Sequence, residues 1–246
     1  MGKLKKILSY FNVKYPGDII WAHRVNSEKK LKEACNSESV MMIEGDIIYS
    51  PESKKVVMAH PPERRSDLSF DEWLKEIIDK GKGAKLDFKD PRVISSCLKK
   101  VKELKPDVPI VIHADTVKGP GGEKPIINTN EFLKQIKNTY PQGLISIGWT
   151  TEIDPKEKYK KNYIEDMLKA TEKVKEDITY PVRAYYLPKS LEEVKLLLKD
   201  PTTTITIWNN EVLPKDLLEL IKKETDPERT FYDLIDPREG KAIKIK

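Results

Sequence analysis

Cysteine, histidine and long apolar runs are all scarce in this chain. Its 246 residues include two cysteines and three histidines. Cys35 and Cys97 fall on apolar positions of expected helices, so they read as reduced, buried thiols and not as a disulfide or a redox pair. No window approaches the length of a membrane span. Lys3-Leu4-Lys5-Lys6 followed by Ile7 to Val13 faintly suggests a signal peptide. The run is short, contains Ser9, Tyr10 and Asn12, and lacks a small-residue cleavage site. A soluble cytoplasmic protein is therefore expected. No linker, charge block or low-complexity stretch divides the chain, which reads as one domain over 1–246, large enough to hold a core without disulfides or a structural metal.

Lys+Arg number 45 against 40 Asp+Glu, a net charge of +5. Much of that lysine lies beside acids on expected helix faces, as in Glu72-Lys75-Glu76 and Glu172-Lys173-Lys175-Glu176. Such mixing describes a water-facing helix surface and argues against a nucleic-acid stripe. No nucleic-acid partner is expected.

What the chain does have is alternation. Short β-branched runs at Ile19–His23, Val40–Asp46, Ala84–Lys89, Pro109–His113, Leu144–Gly148, Val182–Tyr186, Thr203–Trp208 and Thr230–Ile235 read as strands. Amphipathic helices separate them. Ser69-x-x-Glu72 is a capping box ahead of Phe70, Trp73, Leu74 and Ile77, and Ser190-x-x-Glu193 repeats it. Asp90-Pro91 reads as the start of another helix, and Tyr159, Tyr163, Met167 and Ala170 trace a longer one. Strictly alternating strands and helices imply a parallel sheet. Eight such units close most naturally into an α/β (β/α)8 TIM barrel, with a doubly wound open sheet as the runner-up. Residues 47–68 are too long for a plain turn and suggest an extra hairpin strand at Val56–Ala59, ending at His60. Residues 114–128, with Gly119-Pro120-Gly121-Gly122, read as a loop after strand four. Both leave from C-terminal strand ends, where such barrels keep their chemistry.

Those same ends collect the polar groups: His23, Glu44-x-Asp46, Asp87-x-Lys89, and His60 on the excursion. Residues two apart on a strand share a face, so each x-spaced pair points one way. Neighbouring strands lie ~5 Å apart, which brings the groups within reach of one pocket. Glu44, Asp46 and Asp87, with no cysteine among them, suit a hard divalent cation such as Mg2+ or Ca2+. His23 and His60 can serve as an acid–base pair, and Lys89 as a point charge for a phosphate oxygen. Together these parts are what phosphodiester cleavage requires. His113, followed by Asp115, could line the same mouth. Arg183 could project inward, and Trp208 could wall the pocket, stack on substrate or close the core.

Trp21-Ala22-His23-Arg24-Val25-Asn26-Ser27, Met42-Ile43-Glu44-Gly45-Asp46, Met58-Ala59-His60-Pro61-Pro62, Lys85-Leu86-Asp87-Phe88-Lys89 and Gly148-Trp149-Thr150-Thr151 resemble the menorin family, a branch of the phospholipase-C-like phosphodiesterase superfamily. The order His23-x-x-Asn26, Glu44-x-Asp46, His60, Asp87-x-Lys89 and Trp208 is also similar to that of the glycerophosphodiester phosphodiesterases and the spider-venom sphingomyelinases D. The resemblance implies His23 and His60 as the catalytic acid and base, and Glu44, Asp46 and Asp87 as ligands of Mg2+ or Ca2+. It implies substrate-side roles for Asn26, Lys89 and Trp208. Val25 and Pro61-Pro62 depart from the enzymes' flanking residues. The expected activity is cleavage of a glycerol- or lipid-type phosphodiester. The alternatives are a catalytically silent, menorin-like binding or scaffolding module with a protein partner, and a barrel using carboxylate-bound metal for enolate chemistry.

Overall fold

Each apolar run of the sequence lies in or beside a strand, and amphipathic helices connect most of them. The computed structural model describes residues 2–152, 157–238 and 241–245. Its strands are β1 (Trp21–Ala22), β2 (Met42–Ser50), β3 (Lys55–Met58), β4 (Gly83–Phe88), β5 (Ile110–Lys118), β6 (Leu144–Thr150), β7 (Ile178–Arg183), β8 (Thr203–Trp208) and β9 (Thr230–Asp233). A short antiparallel pair follows, β10 (Ile235–Asp236) and β11 (Lys241–Ala242). The helices are α1 (Lys3–Phe11), α2 (Glu28–Asn36), α3 (Phe70–Asp79), α4 (Ile94–Leu104), α5 (Thr129–Thr139), α6 (Lys161–Ala170), α7 (Leu191–Lys195) and α8 (Lys215–Glu224).

Eight strands run parallel in the order β1-β2-β4-β5-β6-β7-β8-β9, with β3 folded back antiparallel on β2. The strand order never reverses, so this is the expected nearly closed (β/α)8 barrel and not a doubly wound sheet. Among the described residues no hydrogen-bonded ladder joins β9 to β1. Side chains close that seam instead: Trp21 and Phe231 meet edge to face with ring centroids 5.8 Å apart.

Strand alternation sorts the core into two regions. Ile43 and Ile47 on β2, Ala84, Leu86 and Phe88 on β4, and Ile145 and Ile147 on β6 face the helices and are buried there. Gly45, between them, leaves room for the Trp73 indole of α3, whose ring carbon would stand 3.1 Å from an added Cβ. The opposite residues face the barrel axis. At its N-terminal end Trp21, Met42, Val111, Leu144 and Phe231 form an apolar layer, sealed by Ile7 of α1. The segment that faintly suggests a signal peptide is thus this sealing helix. Higher along the axis the inward residues turn polar, beginning with Thr179 and Thr206, whose hydroxyls lie 2.9 Å apart.

Several local expectations shift. Strand six lies at Ile178–Arg183, not Val182–Tyr186, and a 3-10 helix, Ala184–Lys189, follows it. Pro181 interrupts the strand pattern, but the ladder to β6 covers Ile178 and Thr179 alone. Pro181 lies beyond it, where β7 pairs only with β8 and a missing N–H is tolerated. β5 runs on to Lys118, which shortens the loop expected from 114. The Ser69–Glu72 capping box forms, with Ser69 N–H donating to Glu72 at 3.0 Å. The Ser190 box does not: its hydroxyl accepts from Tyr159 N–H at 2.9 Å. Helix α4 starts at Ile94, and Asp90 instead accepts from Arg92.

Candidate active site

Register sets the level of each inward group. Glu44 pairs with Lys85 and Asp46 with Asp87 between β2 and β4. Asp87 pairs with His113, His113 with Ser146, and Asp115 with Gly148. Asp46, Asp87 and His113 therefore form one row across three adjacent strands. A pocket of about 170 Å3 opens above them, lined also by His23, Glu44, His60, Lys89, Asp115, Arg183 and Trp208. The sequence-derived residues converge there, with one exception discussed below.

His23 stands just beyond β1, and its Nδ1 lies 3.1 Å from each oxygen of Asp233 at the end of β9. Glu44 Oε2 approaches the same nitrogen at 3.3 Å. Carboxylates only accept, so Nδ1 carries a proton and Nε2 is the ring atom left for the pocket. Burial disfavours the charged ring, but the Asp233 and Glu44 charges outweigh it and raise the His23 pKa to about 9. Asp233 is fully buried and also accepts from Lys85 Nζ at 3.2 Å. Against the cost of burial, His23 and Lys85 hold its carboxyl below the usual range. Arg24, next in the chain, has φ of 53°. That left-handed turn accompanies an N–H that donates to Glu44 Oε2 at 2.7 Å.

Asn26 is the exception. Its Nδ2 donates to Asp46 Oδ2 at 2.7 Å and its Oδ1 accepts from Asp46 N–H at 2.9 Å. The expected substrate contact is thus a clamp on Asp46. Lys89 likewise differs from a free phosphate ligand. Its ammonium lies 2.8 Å from Asp87, 3.2 Å from Asp115 and 3.7 Å from Asp46. Burial opposes its charge, but Asp115, Asp87 and Asp46 prevail and raise its pKa well above normal. The Glu44 pKa is also raised, to about 7, but by burial, with Asp46 and Asp87 adding to the effect and His23 opposing it.

His60 is exposed and follows the β2–β3 hairpin. Ala59 N–H donates to the Asp46 carbonyl at 3.0 Å, which brings the next residue to the pocket. His60 Nδ1 lies 2.6 Å from the Pro61 carbonyl. A carbonyl accepts, so Nδ1 holds a proton and Nε2 is the ring atom left for the pocket.

His113 is buried, with Nδ1 3.0 Å from the Ser146 hydroxyl and 3.3 Å from its carbonyl. Opposite, Trp208 lies near-parallel to His23 at 6.5 Å, with the Arg183 guanidinium 5.0 Å from its ring. Arg183 pairs with Glu211. Trp149, from the Gly148-Trp149-Thr150-Thr151 motif, faces outward and packs on Tyr159 at 4.9 Å. A larger cleft of about 1110 Å3 adjoins the pocket and shares His23, Arg24, His60 and Asn210 with it. Apolar Ala22, Val40, Met58 and Ile235 line it alongside Lys30, Arg65 and Lys244.

Glu44, Asp46 and Asp87 each place a ligand oxygen within 4.8 Å of the others, and all three are buried. Asp87 Oδ1 is buried with no hydrogen-bond partner. An all-oxygen set with an orphaned acceptor fits a divalent cation. Among the described residues no helix is long and apolar enough to cross a membrane.

Known proteins carry the same architecture. The Oleispira antarctica phosphodiesterase, solved in complex with its product sn-glycerol-3-phosphate, superposes with a TM-score of 0.56 at 13% identity, over 87% of this chain and 92% of that one. The glycerophosphodiester phosphodiesterase of Thermotoga maritima gives 0.52 at 15% identity, over 87% and 94%. The molecule therefore shares the (β/α)8 barrel fold of these structures. The Menorin N-terminal domain model matches residues 17–239, and Protein FAM151B of Homo sapiens is 34% identical over 245 residues, spanning 93% of this chain and 88% of the human protein. The chain belongs to the menorin family.

Proposed function

We propose that this chain is a metal-dependent phosphodiesterase that cleaves a glycerol- or lipid-type phosphodiester. One observation carries the reading: two imidazoles, His23 held by buried carboxylates and His60 held by a backbone carbonyl, line one pocket beside three buried carboxylates. His23 is kept protonated by Asp233 and Glu44, which suits it to give its Nε2 proton to the leaving oxygen. His60, with its Nδ1 proton on the Pro61 carbonyl, offers a lone pair to take the proton of the attacking hydroxyl, from water or from the substrate itself. Glu44, Asp46 and Asp87 would hold Mg2+ or Ca2+, which when bound neutralises phosphate charge. Asn26 fixes Asp46, and Trp208 walls the side nearest His23. The 170 Å3 pocket suits a phosphate with a small polyol, and the adjoining cleft suits the bulkier alcohol of a lipid-type substrate.

The test is turnover of glycerophosphodiesters and lysophospholipids with Mg2+, Ca2+ or EDTA. His23→Ala and His60→Ala are each expected to lower the rate by roughly 10²- to 10⁴-fold. Activity that survives both substitutions overturns the assignment. Lys89 supports a second reading. Its ammonium already sits among Asp46, Asp87 and Asp115, as it would in a silent pocket that binds a ligand or scaffolds a partner. Ligand binding without turnover on any substrate of the panel would favour that reading.

A further inference from the structure

Deep in the pocket the proposed chemistry leaves His113 and Asp115 unused, and both stand beside Asp87. His113 Nε2 stands 3.4 Å from Asp115 Oδ1 and 3.8 Å from Asp87 Oδ1. We infer that Asp87, His113 and Asp115 form a second divalent-cation position, sharing Asp87 with the one built by Glu44 and Asp46.

Three observations carry it. First, the Ser146 carbonyl and hydroxyl face His113 Nδ1. The carbonyl accepts from Nδ1, which leaves Nε2 as the ring atom turned to two carboxylate oxygens. A cation between them would take all three atoms as ligands, and a backbone partner on the far nitrogen is how metal-binding histidines are held. Second, the two aspartates divide their oxygens. Both Oδ2 atoms face Lys89, while both Oδ1 atoms face His113. Asp87 is 7% exposed, and its Oδ1 has no hydrogen-bond partner. Third, Gly148 on β6 makes the room. A Cβ there would stand 2.2 Å from Asp115 Oδ1 and 2.6 Å from His113 Cε1. Any larger residue would push this group apart.

The donor set names the ligand class. One imidazole and two carboxylates without a thiolate suit a first-row divalent ion such as Mn2+ or Zn2+ better than Ca2+. The 3.4 and 3.8 Å separations approach the edge of about 3.3 Å expected of a tetrahedral site with bonds of about 2.05 Å. A phosphate brought in by a substrate would add oxygens and negative charge beside both positions. That last point rests on the phosphodiesterase reading; the ligand geometry does not.

Mn2+ binding tests it, by equilibrium dialysis and pulsed EPR, with and without sn-glycerol 3-phosphate. The expected result with the phosphate is two Mn2+ per chain and a ¹⁴N coupling on bound Mn2+. H113Q should reduce the count to one and abolish that coupling, while E44Q should reduce the count and keep it. D115N is a second route that leaves the imidazole in place, and it too should reduce the count to one. One Mn2+ per chain in the unaltered protein, or a ¹⁴N coupling that persists in H113Q, overturns the inference. No turnover is read, so two bound ions in a silent protein would support this site while refuting the phosphodiesterase.

Discussion

His23 and Asp233 join the first and last strands of the barrel across a seam that, among the described residues, no backbone ladder closes. The imidazole Nδ1 stands 3.1 Å from both carboxylate oxygens. Lys85 supports the same carboxylate from β4. The group proposed as the acid is therefore also part of what holds the barrel shut.

Stability should consequently fall at both ends of the pH scale. Asp233 has a depressed pKa in the folded protein. Its contribution is present above its unfolded value of about 3.9 and is lost as pH falls below that. His23 has a raised pKa, about 9. Its contribution is complete below about 6.5 and is lost as pH rises through 9. Urea unfolding in EDTA across pH 3 to 10 should trace both limbs. Asp233→Asn should flatten both and cost about 3 kcal/mol near pH 6, because Lys85 and His23 lose their shared anion. Unchanged limbs in that variant would refute the account.

Divalent ions should raise the melting temperature. At a hundred times Kd a bound ligand adds about 2.7 kcal/mol, or roughly 5–10 °C for a domain of this size. Calorimetry with and without Mg2+, Ca2+ or Mn2+ reads this directly. Asp46→Asn should remove most of the gain without unfolding the chain.

The thiols should be inert in the native state. Burial pushes Cys35 up to about 11 and Cys97 up to about 12, so neither supplies thiolate near neutrality. Ellman's reagent at pH 8 should titrate no thiol in the folded protein and two after denaturation. Prompt reaction without denaturant would contradict this packing.

Trp73→Ala should cost about 3–5 kcal/mol. The indole is fully buried and lies against the bare Cα of Gly45, between the two inward carboxylates of β2. Chemical denaturation measures the loss. A divalent-ion titration of the same variant shows whether Glu44 and Asp46 have shifted with their backbone.

The barrel and most of the pocket were legible in the sequence because two periodicities write them openly. Helical stripes alternate with strands, and strand parity puts Glu44 with Asp46 and Asp87 with Lys89. The same parity rule reaches Lys85, two residues before Asp87, and Asp233, two after inward Phe231. Neither stands out in the sequence: Lys85 only opens the Lys85-Leu86-Asp87-Phe88-Lys89 motif, and a lone aspartate such as Asp233 carries none. Arg183 reads as an inward residue, but Pro181 masks the run from Ile178, so the sequence places its strand four residues late. Resemblance gives Asn26 a substrate-side role, and nothing in the spacing says that its amide closes on Asp46. Helix α1 is hard to read because its apolar run is short and follows lysines; its packing shows only where Ile7 meets Trp21 and Phe231.

His60 is mounted differently from its partner. It begins a largely exposed stretch, 60–65, after a four-residue strand, and reaches the pocket through one backbone bond from Ala59. Segments with so few buried contacts open at free energies well below that of global unfolding. The two imidazoles thus belong to units of unequal cooperativity. On warming, residues 60–65 are expected to loosen while β1 and β9 still hold His23, so under the proposed function turnover would be lost before the barrel's circular dichroism. A molecule that grips residues 60–65 would act as a throttle without touching the carboxylates at all.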